Sequence, residues 1–173
     1  VHIPRVLYHW RVHSASTADN PASKLYAYEA GKKAIEGNLA RCGEEGTITL
    51  RSDYGFYDVD YKLRGTPLVS ILIPNKDQAD TLRTCLESIK KKCMYPSYEI
   101  LIIENNSTEE ATFSYYKELE AQGIRVLKYP KQGFNYSAIN NFGVKEAKGE
   151  YLLFLNNDME IITPDFMEKM VSN

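Results

Sequence analysis

An α/β fold, with a mostly parallel sheet wound on both faces by helices, is predicted by three short stretches of this chain. Leu68-Val69-Ser70-Ile71-Leu72-Ile73 runs into Pro74-Asn75-Lys76-Asp77, and Ile100-Leu101-Ile102-Ile103 into Glu104-Asn105-Asn106-Ser107. Tyr151-Leu152-Leu153-Phe154-Leu155 likewise ends in Asn156-Asn157-Asp158. Near-continuous apolar runs belong to strands buried on both faces, and such sheets collect their ligand-binding groups beyond the carboxyl ends of the strands. Two of the clusters set a carboxylate next to amides, which suits a nucleotide and a divalent ion.

The chain divides near Thr66-Pro67 into residues 1–65 and 66–173. In the first part, an N-terminal strand and helix segment, Val6-Leu7-Tyr8-His9-Trp10 is strand-like. Asn20-Pro21 is a strong helix start, an N-cap followed by proline at the first helical position. Leu25, Tyr28, Ile35 and Leu39 mark one face of a helix that ends around Cys42-Gly43. Residues 47–63 alternate weakly and are broken by Gly55, which predicts a β-hairpin or an extended connector.

In the second part residues 68–73 form the first strand, which Pro74 halts, and a helix follows at about 78–92 with Leu82, Leu86 and Ile89 at helical spacing. A second strand covers 99–103, and Ser107-Thr108-Glu109-Glu110 reads as a capping box. Its helix carries Tyr115, Tyr116 and Leu119 and stops near Gly123. A third strand at 124–129 leads to a helix at about 137–148, closed by Gly149 as the residue past its C-cap. The fourth strand is 150–155, and a last helix starts near Pro164. Repeated strand–helix units of this kind imply right-handed crossovers.

Composition narrows the class. With 173 residues, 43% apolar and 25% charged, the chain has the makings of one ordinary globular domain. A net charge of −2 gives no support for a nucleic-acid or acidic-membrane partner. No apolar run approaches the roughly 20 residues needed to span a bilayer. The three cysteines, Cys42, Cys85 and Cys93, form no C-x-x-C pair. A disulfide framework or structural zinc is not expected, and the expected setting is the reducing cytoplasm, including the inner face of its membrane. His9 and His13 are four apart, a spacing that does not share a metal face in a strand. Thirteen tyrosines, Tyr115 and Tyr116 among them, fit half-buried amphipathic positions. Neither a dinucleotide fingerprint, a P-loop nor a G-x-S-x-G elbow occurs.

Each polar cluster has a chemical and a plain structural interpretation. Asp158 can hold a divalent cation that bridges the phosphates of a nucleotide, or it can cap the next turn. Glu104 and Asn105 can accept from a base or ribose, while Asn106 turns the chain and Ser107 caps a helix. Glu104 favours function, because an acid at a buried strand end needs a partner. Asn75, Lys76 and Asp77 begin a helix; Asp77 alone reads as an N-cap, and beside the other clusters it becomes a candidate for recognising the base. Gly133-Phe134-Asn135-Tyr136-Ser137 with Asn140-Asn141-Phe142-Gly143 is costly for a helix. Its amides suit a sugar or diphosphate, and Gly143 permits close helix–sheet contact.

Together these stretches resemble the nucleotide-sugar-binding half of family 2 glycosyltransferases, which have the Rossmann-like GT-A fold. The match runs from Val69 through Asp77, Glu99 through Thr108, Phe134 through Gly143 and Gly149 through Asp158, in the family's order and spacing. The resemblance implies a nucleotide-diphospho-sugar donor, a glycan acceptor, a divalent cation (magnesium or manganese) and inverting transfer in surface-polysaccharide synthesis. It implies nucleotide-sugar contacts from Pro74, Asn75, Lys76, Asp77, Glu104, Asn105, Asn135, Asn140, Asn141, Asn156 and Asn157. Glu104 stands where the family usually has an aspartate. Asn156-Asn157-Asp158 stands at its D-x-D motif, with asparagine for the first acid, which leaves Asp158 as the metal ligand. The chain ends fifteen residues past Asp158, so the catalytic base is expected beyond Asn173 and the fragment is expected to be inactive alone. The stretch Ile3 to Ser14 resembles the end of a preceding transferase domain, with residues 20–65 as a connector in a tandem polypeptide. The alternative is a GT-A-like docking module without catalysis. A nucleotidyltransferase would need a Gly- and Arg-rich loop that Pro74-Asn75-Lys76-Asp77 does not supply.

Overall fold

A computed structural model describes residues 2–14 and 20–172, so Val1 and Asn173 of the expectations above lie outside the described residues. The chain forms two compact units, Val1–Lys62 and Leu63–Asn173.

In the first unit Asn20 caps a short 3-10 turn, Pro21–Lys24, its side chain accepting from the Ala22 N–H at 3.1 Å. Helix α1 follows over Leu25–Cys42 and ends on Gly43, whose φ of 70° is the left-handed conformation that glycine adopts without strain. Leu39 is its buried residue, whereas Leu25 of the expected apolar face is exposed. The hairpin alternative for 47–63 is the one realised: β1 (Gly46–Leu50) pairs antiparallel with β2 (Tyr57–Tyr61). Gly31 in α1 lies under the Tyr57 ring, where an added Cβ would stand 2.2 Å from the hydroxyl oxygen. That hydroxyl donates to the Tyr28 carbonyl at 2.7 Å. Val6-Leu7-Tyr8-His9-Trp10 forms no strand, and its apolar side chains are exposed. A strand needs a ladder partner, and these residues have none among the described ones.

The second unit holds a parallel sheet in the order β5-β4-β3-β6. Its strands are β3 (Val69–Asn75), β4 (Tyr98–Glu104), β5 (Arg125–Lys128) and β6 (Tyr151–Phe154). The helices between them are α2 (Ala79–Lys92), α3 (Glu110–Ala121) and α4 (Tyr136–Val144), with α5 (Phe166–Ser172) after β6. Alternation along the strands makes two cores. Val69, Ile71, Ile73, Ile100 and Ile102 meet Leu82, Leu86 and Ile89 of α2, Tyr115, Tyr116 and Leu119 of α3, and Met167 and Val171 of α5. On the opposite face Leu72, Leu101 and Ile103 meet Ile139 of α4. Helices therefore cover both faces, and the strand order reverses between β3 and β6. In sheets of this type, ligands bind in the crevice at that reversal.

Four local expectations are corrected. Strand β3 passes through Pro74 to Asn75 instead of stopping, because the Asn75 carbonyl faces β4 and accepts from Asn105. Pro74 then faces the β6 side, where pairing has already ended at Leu72, so no ladder donor is missing. Helix α4 ends at Val144, short of Lys148, and Gly149 does not close it. Gly149 is needed for another reason: a Cβ there would lie 2.5 Å from the Ser70 nitrogen and 2.7 Å from the Leu68 carbonyl. Strand β6 is not buried on both faces: among the described residues it pairs with β3 alone, and it leaves Tyr151, Leu152 and Phe154 exposed. The expected capping box at Ser107 does not form, as described below. Gly143 does sit against the sheet, its absent Cβ leaving room for Ile103 and Leu72.

Candidate functional site

The polar ends of β3, β4 and β6 come together at the carboxyl edge of the sheet, around the reversal. Asn75 ends β3 with 2% exposure, and its side-chain amide is fully engaged. The Nδ2 group donates to the Asp77 carbonyl at 2.9 Å and to the Tyr116 hydroxyl at 2.7 Å. Its Oδ1 accepts from Asn157 Nδ2 at 2.7 Å, which joins β3 to the polar cluster beyond β6.

Asp77 has a positive φ of 53°, strained for a residue with a side chain, and it caps a helix other than its own. Its carboxylate accepts from the backbone N–H groups of Thr108 and Glu109, at 2.7 and 2.9 Å, in front of α3. Those two bonds, Glu109's first, hold the carboxyl below its ordinary range. Ser107 is thereby displaced from the capping role. Its hydroxyl accepts from the Asp77 N–H at 2.9 Å, and its own N–H donates to Glu104 Oε1 at 2.5 Å. The acid at the buried end of β4 thus has a backbone partner; Glu104 and Asn105 are each 4% exposed. Asn106, with φ 58°, does turn the chain, and it ties Asn105 to the Lys131 carbonyl. Lys76 projects into solvent and Pro74 is half-buried.

Asn135 caps α4 through its side-chain oxygen, which accepts from Ala138 N–H at 3.0 Å. Asn140 is buried; its Nδ2 donates to the Tyr136 carbonyl, while its Oδ1 has no hydrogen-bond partner. A buried amide oxygen in that state carries an open acceptor. Asn141 is exposed on the same helix.

Beyond β6, Asn156 and Asp158 are exposed and Asn157 is half-buried. The Tyr136 hydroxyl approaches Asn156 Oδ1 at 3.5 Å. Cys85 lies beneath this turn, its thiol 3.8 Å from the Asn156 carbonyl. Burial, and then the nearby Asp158 charge, push that thiol up to about 11, so it stays protonated and donates. The Asp158 carboxylate is exposed and makes no hydrogen bond or ion pair among the described residues. The donor set is one free carboxylate with amide oxygens beside it, hard oxygen ligands of the kind magnesium and manganese take. Among the described residues no three His, Cys, Asp or Glu side chains cluster as a complete cage. The arrangement therefore fits an ion whose remaining positions are filled by phosphate and water.

Two tyrosines matter here that the sequence pattern did not single out. Tyr116 is 4% exposed, and its hydroxyl lies between Asn75 and Ser107. Its place in the helical apolar stripe reads as core, and the only signal is that a buried tyrosine hydroxyl requires a partner. Tyr136 follows the capping Asn135, and nothing local distinguishes it. No helix among the described residues is long and apolar enough to cross a membrane.

Comparison with known proteins agrees with this geometry. The chain is 42% identical over 171 residues to the O-antigen biosynthesis protein RfbC of Myxococcus xanthus, covering 99% of this chain and 13% of that protein. It is 38% identical over 174 residues to the uncharacterized protein y4gI of Sinorhizobium fredii, covering 99% and 19% respectively. The chain thus spans less than a fifth of either relative. Among solved structures, the mannosyltransferase PcManGT of Pyrobaculum calidifontis, in complex with GDP-Man and Mn2+, superposes with a TM-score of 0.54 at 15% identity. That superposition covers 87% of this chain and 42% of the other, and it establishes likeness of fold. The family model described as glycosyl transferase family 2 matches residues 70–173, all of the parallel sheet but its first residue, together with its polar edge. With a GT-A sheet, its strand ends gathered at the reversal and that match, the chain belongs to glycosyl transferase family 2.

Proposed function

We propose that this chain forms the nucleotide-diphospho-sugar-binding part of a glycosyltransferase that transfers a sugar, with inversion, to a glycan acceptor in surface-polysaccharide synthesis. The observation that carries the reading is the unpaired, exposed Asp158 at the strand-order reversal, held beside two other polar strand ends. The name of the M. xanthus relative supports the O-antigen type of product, and the P. calidifontis complex supports a nucleotide sugar with a divalent ion.

The residues divide by what their side chains have left to offer. Asp158 would hold magnesium or manganese, aided by the Asn156 amide oxygen, and a cation there would neutralise charge on the departing diphosphate. Lys76 and Asn141 are exposed and free to reach anionic and hydroxyl groups of the donor, and Asn140 keeps an unpaired but enclosed Oδ1 on the same helix as Asn141. Glu104 and Asn105 lie at the nucleoside end. Pro74, Asn75, Asp77 and Asn135 shape the rim, the side-chain amide of Asn75, the carboxylate of Asp77 and the side-chain oxygen of Asn135 being engaged with the protein. No residue of the chain is assigned as the base that deprotonates the acceptor. The chain alone is accordingly proposed to bind a donor in the cytoplasm without turning it over, and residues 1–65 to connect it to a preceding transferase domain.

Calorimetric titration with UDP, dTDP and GDP, each with and without Mn2+, tests the reading. At least one nucleotide should bind, with Mn2+ strengthening it, and Asp158→Ala should weaken the Mn2+-supported binding about tenfold, about 1.4 kcal/mol. Absence of heat with all three, or equal affinity in Asp158→Ala, overturns it.

A further inference from the structure

We infer that Asn75 and Tyr116 are positioning residues that lock the Asn157 amide with its carbonyl oxygen, not its NH2 group, turned to the ligand. The inference deepens the nucleotide-sugar reading and rests on it for the identity of the ligand; the orientation itself does not.

The orientation follows from hydrogen-bond polarity, starting at an atom with no choice. The Asp77 backbone carbonyl can only accept. It lies 2.9 Å from one end of the Asn75 amide, so that end is Nδ2. The other N–H of Nδ2 goes to the Tyr116 hydroxyl at 2.7 Å. Tyr116 must then send its own proton elsewhere, and Ser107 Oγ lies 3.4 Å away. Ser107 Oγ already accepts the Asp77 N–H, a donor that cannot reverse. With both ends of the chain of bonds fixed by backbone groups, Asn75 Oδ1 is the atom that faces Asn157 at 2.7 Å. Only Asn157 Nδ2 can meet it there, since two amide oxygens at that distance would repel.

Asn157 Oδ1 is consequently the outward atom. It has no partner among the described residues and is not among the side-chain oxygens sealed from solvent, so it is the end of the amide left open. A fixed amide oxygen next in sequence to Asp158 accepts a hydroxyl proton of the donor or contributes a lone pair to the cation. It repels an acceptor such as a bare phosphate oxygen. Burial, first, and the charges of Glu104 and Asp77 raise the Tyr116 pKa, against its hydrogen bonds to Ser107 and Asn75, so the hydroxyl stays protonated as this chain of bonds requires. The same bonds span all three strand ends: Asn157 after β6, Asn75 on β3, and Ser107, whose backbone N–H donates to Glu104, after β4.

The test has a ligand-free arm and a binding arm. In the first, side-chain NH2 signals of the 15N-asparagine-labelled chain are assigned by their loss in Asn157→Asp and Asn75→Asp. Exchange of the Asn75 and Asn157 amide protons should be slower than that of exposed Asn141, and Tyr116→Phe should speed Asn75 exchange roughly three- to tenfold. Asn157 exchanging as fast as Asn141 in the wild type overturns the inference, whether or not any nucleotide binds. In the second arm UDP, dTDP and GDP are titrated into wild type and Tyr116→Phe. A roughly three- to tenfold loss of affinity supports positioning. A loss confined to the Mn2+ titrations assigns Asn157 Oδ1 to the cation, and an equal loss without Mn2+ assigns it to a donor hydroxyl. A lowered melting temperature with unchanged affinity means a structural role only and overturns it. Failure of the wild type to bind any of the three nucleotides counts against the proposed function, and the exchange arm still decides the orientation.

Discussion

At the residue scale, the polar strand ends were legible as a place and not as a set of roles. An amide or acid beyond an apolar run marks the rim of a parallel sheet, because only there can a polar side chain leave the core. What the sequence does not reveal is which of those groups the protein consumes. Asp77 is the clearest instance. Read locally it caps the helix that follows it; in the fold its carboxylate reaches across to the N–H groups of Thr108 and Glu109, and Ser107 is pulled out of the capping position. Partners 31 and 32 residues away are invisible to a capping rule that looks only into the next turn. Because those bonds lower the Asp77 pKa in the folded chain, its contribution to stability is complete above the unfolded value. It is lost as pH falls through the depressed folded value. Thermal melting followed downward from about pH 5 should therefore drop more steeply in the wild type than in Asp77→Asn, which keeps one acceptor but no titrating charge. Parallel curves for the two proteins would mean that the bonds to α3 do not depend on the charge.

At the scale of the elements, the alternation of strands and helices was readable along residues 66–173 because each apolar run is backed by a helix with its own stripe. Boundaries moved where tertiary contact overrode local signals. Pro74 continues a strand because its missing N–H points where no strand pairs, and β6 is exposed because an edge strand has one neighbour. Gly149 read as a helix terminator and is instead a point of close approach. Its N–H donates to Ser70 Oγ at 2.8 Å, and Ser70 Oγ in turn donates to Glu99 at 2.7 Å. Glu99 also accepts from the Lys148 N–H at 2.7 Å. Burial alone would raise the Glu99 pKa, but these bonds and the Arg125 charge outweigh it and hold the carboxyl below its ordinary value. A methyl group at 149 would meet β3 backbone, which cannot swing aside as a side chain can. Gly149→Ala should lower stability by about 1–3 kcal/mol in urea unfolding. A loss below about half a kcal/mol, within the usual range of neutral surface changes, would show that the loop relaxes freely.

For the whole molecule, the consequence lies in where the site sits on a gradient of protection. Strands β3 and β4 each have neighbours on both sides and side chains in both cores, with Ile71, Leu72, Ile73, Leu101, Ile102 and Ile103 fully buried. Strand β6 is four residues long, pairs on one side, and exposes three of its side chains. The Glu104-Asn105 end of the candidate site therefore rests on the best-paired part of the sheet, and the Asn156-Asn157-Asp158 end on an edge strand. The Asn157–Asn75 bond is a polar tie between the two. Opening free energies differ across a structure according to buried contacts and paired backbone, so amide exchange should map this difference. Peptides covering 69–75 and 98–104 should be the slowest of the chain and 151–159 markedly faster, with 25–42 also fast because α1 buries only Leu39. Adding Mn2+ with a nucleotide that binds should slow 151–159 more than 98–104, because a ligand stabilises most what was least ordered before it arrived. If 151–159 is already as protected as 69–75 without ligand, the edge strand is not the pliant half of the site.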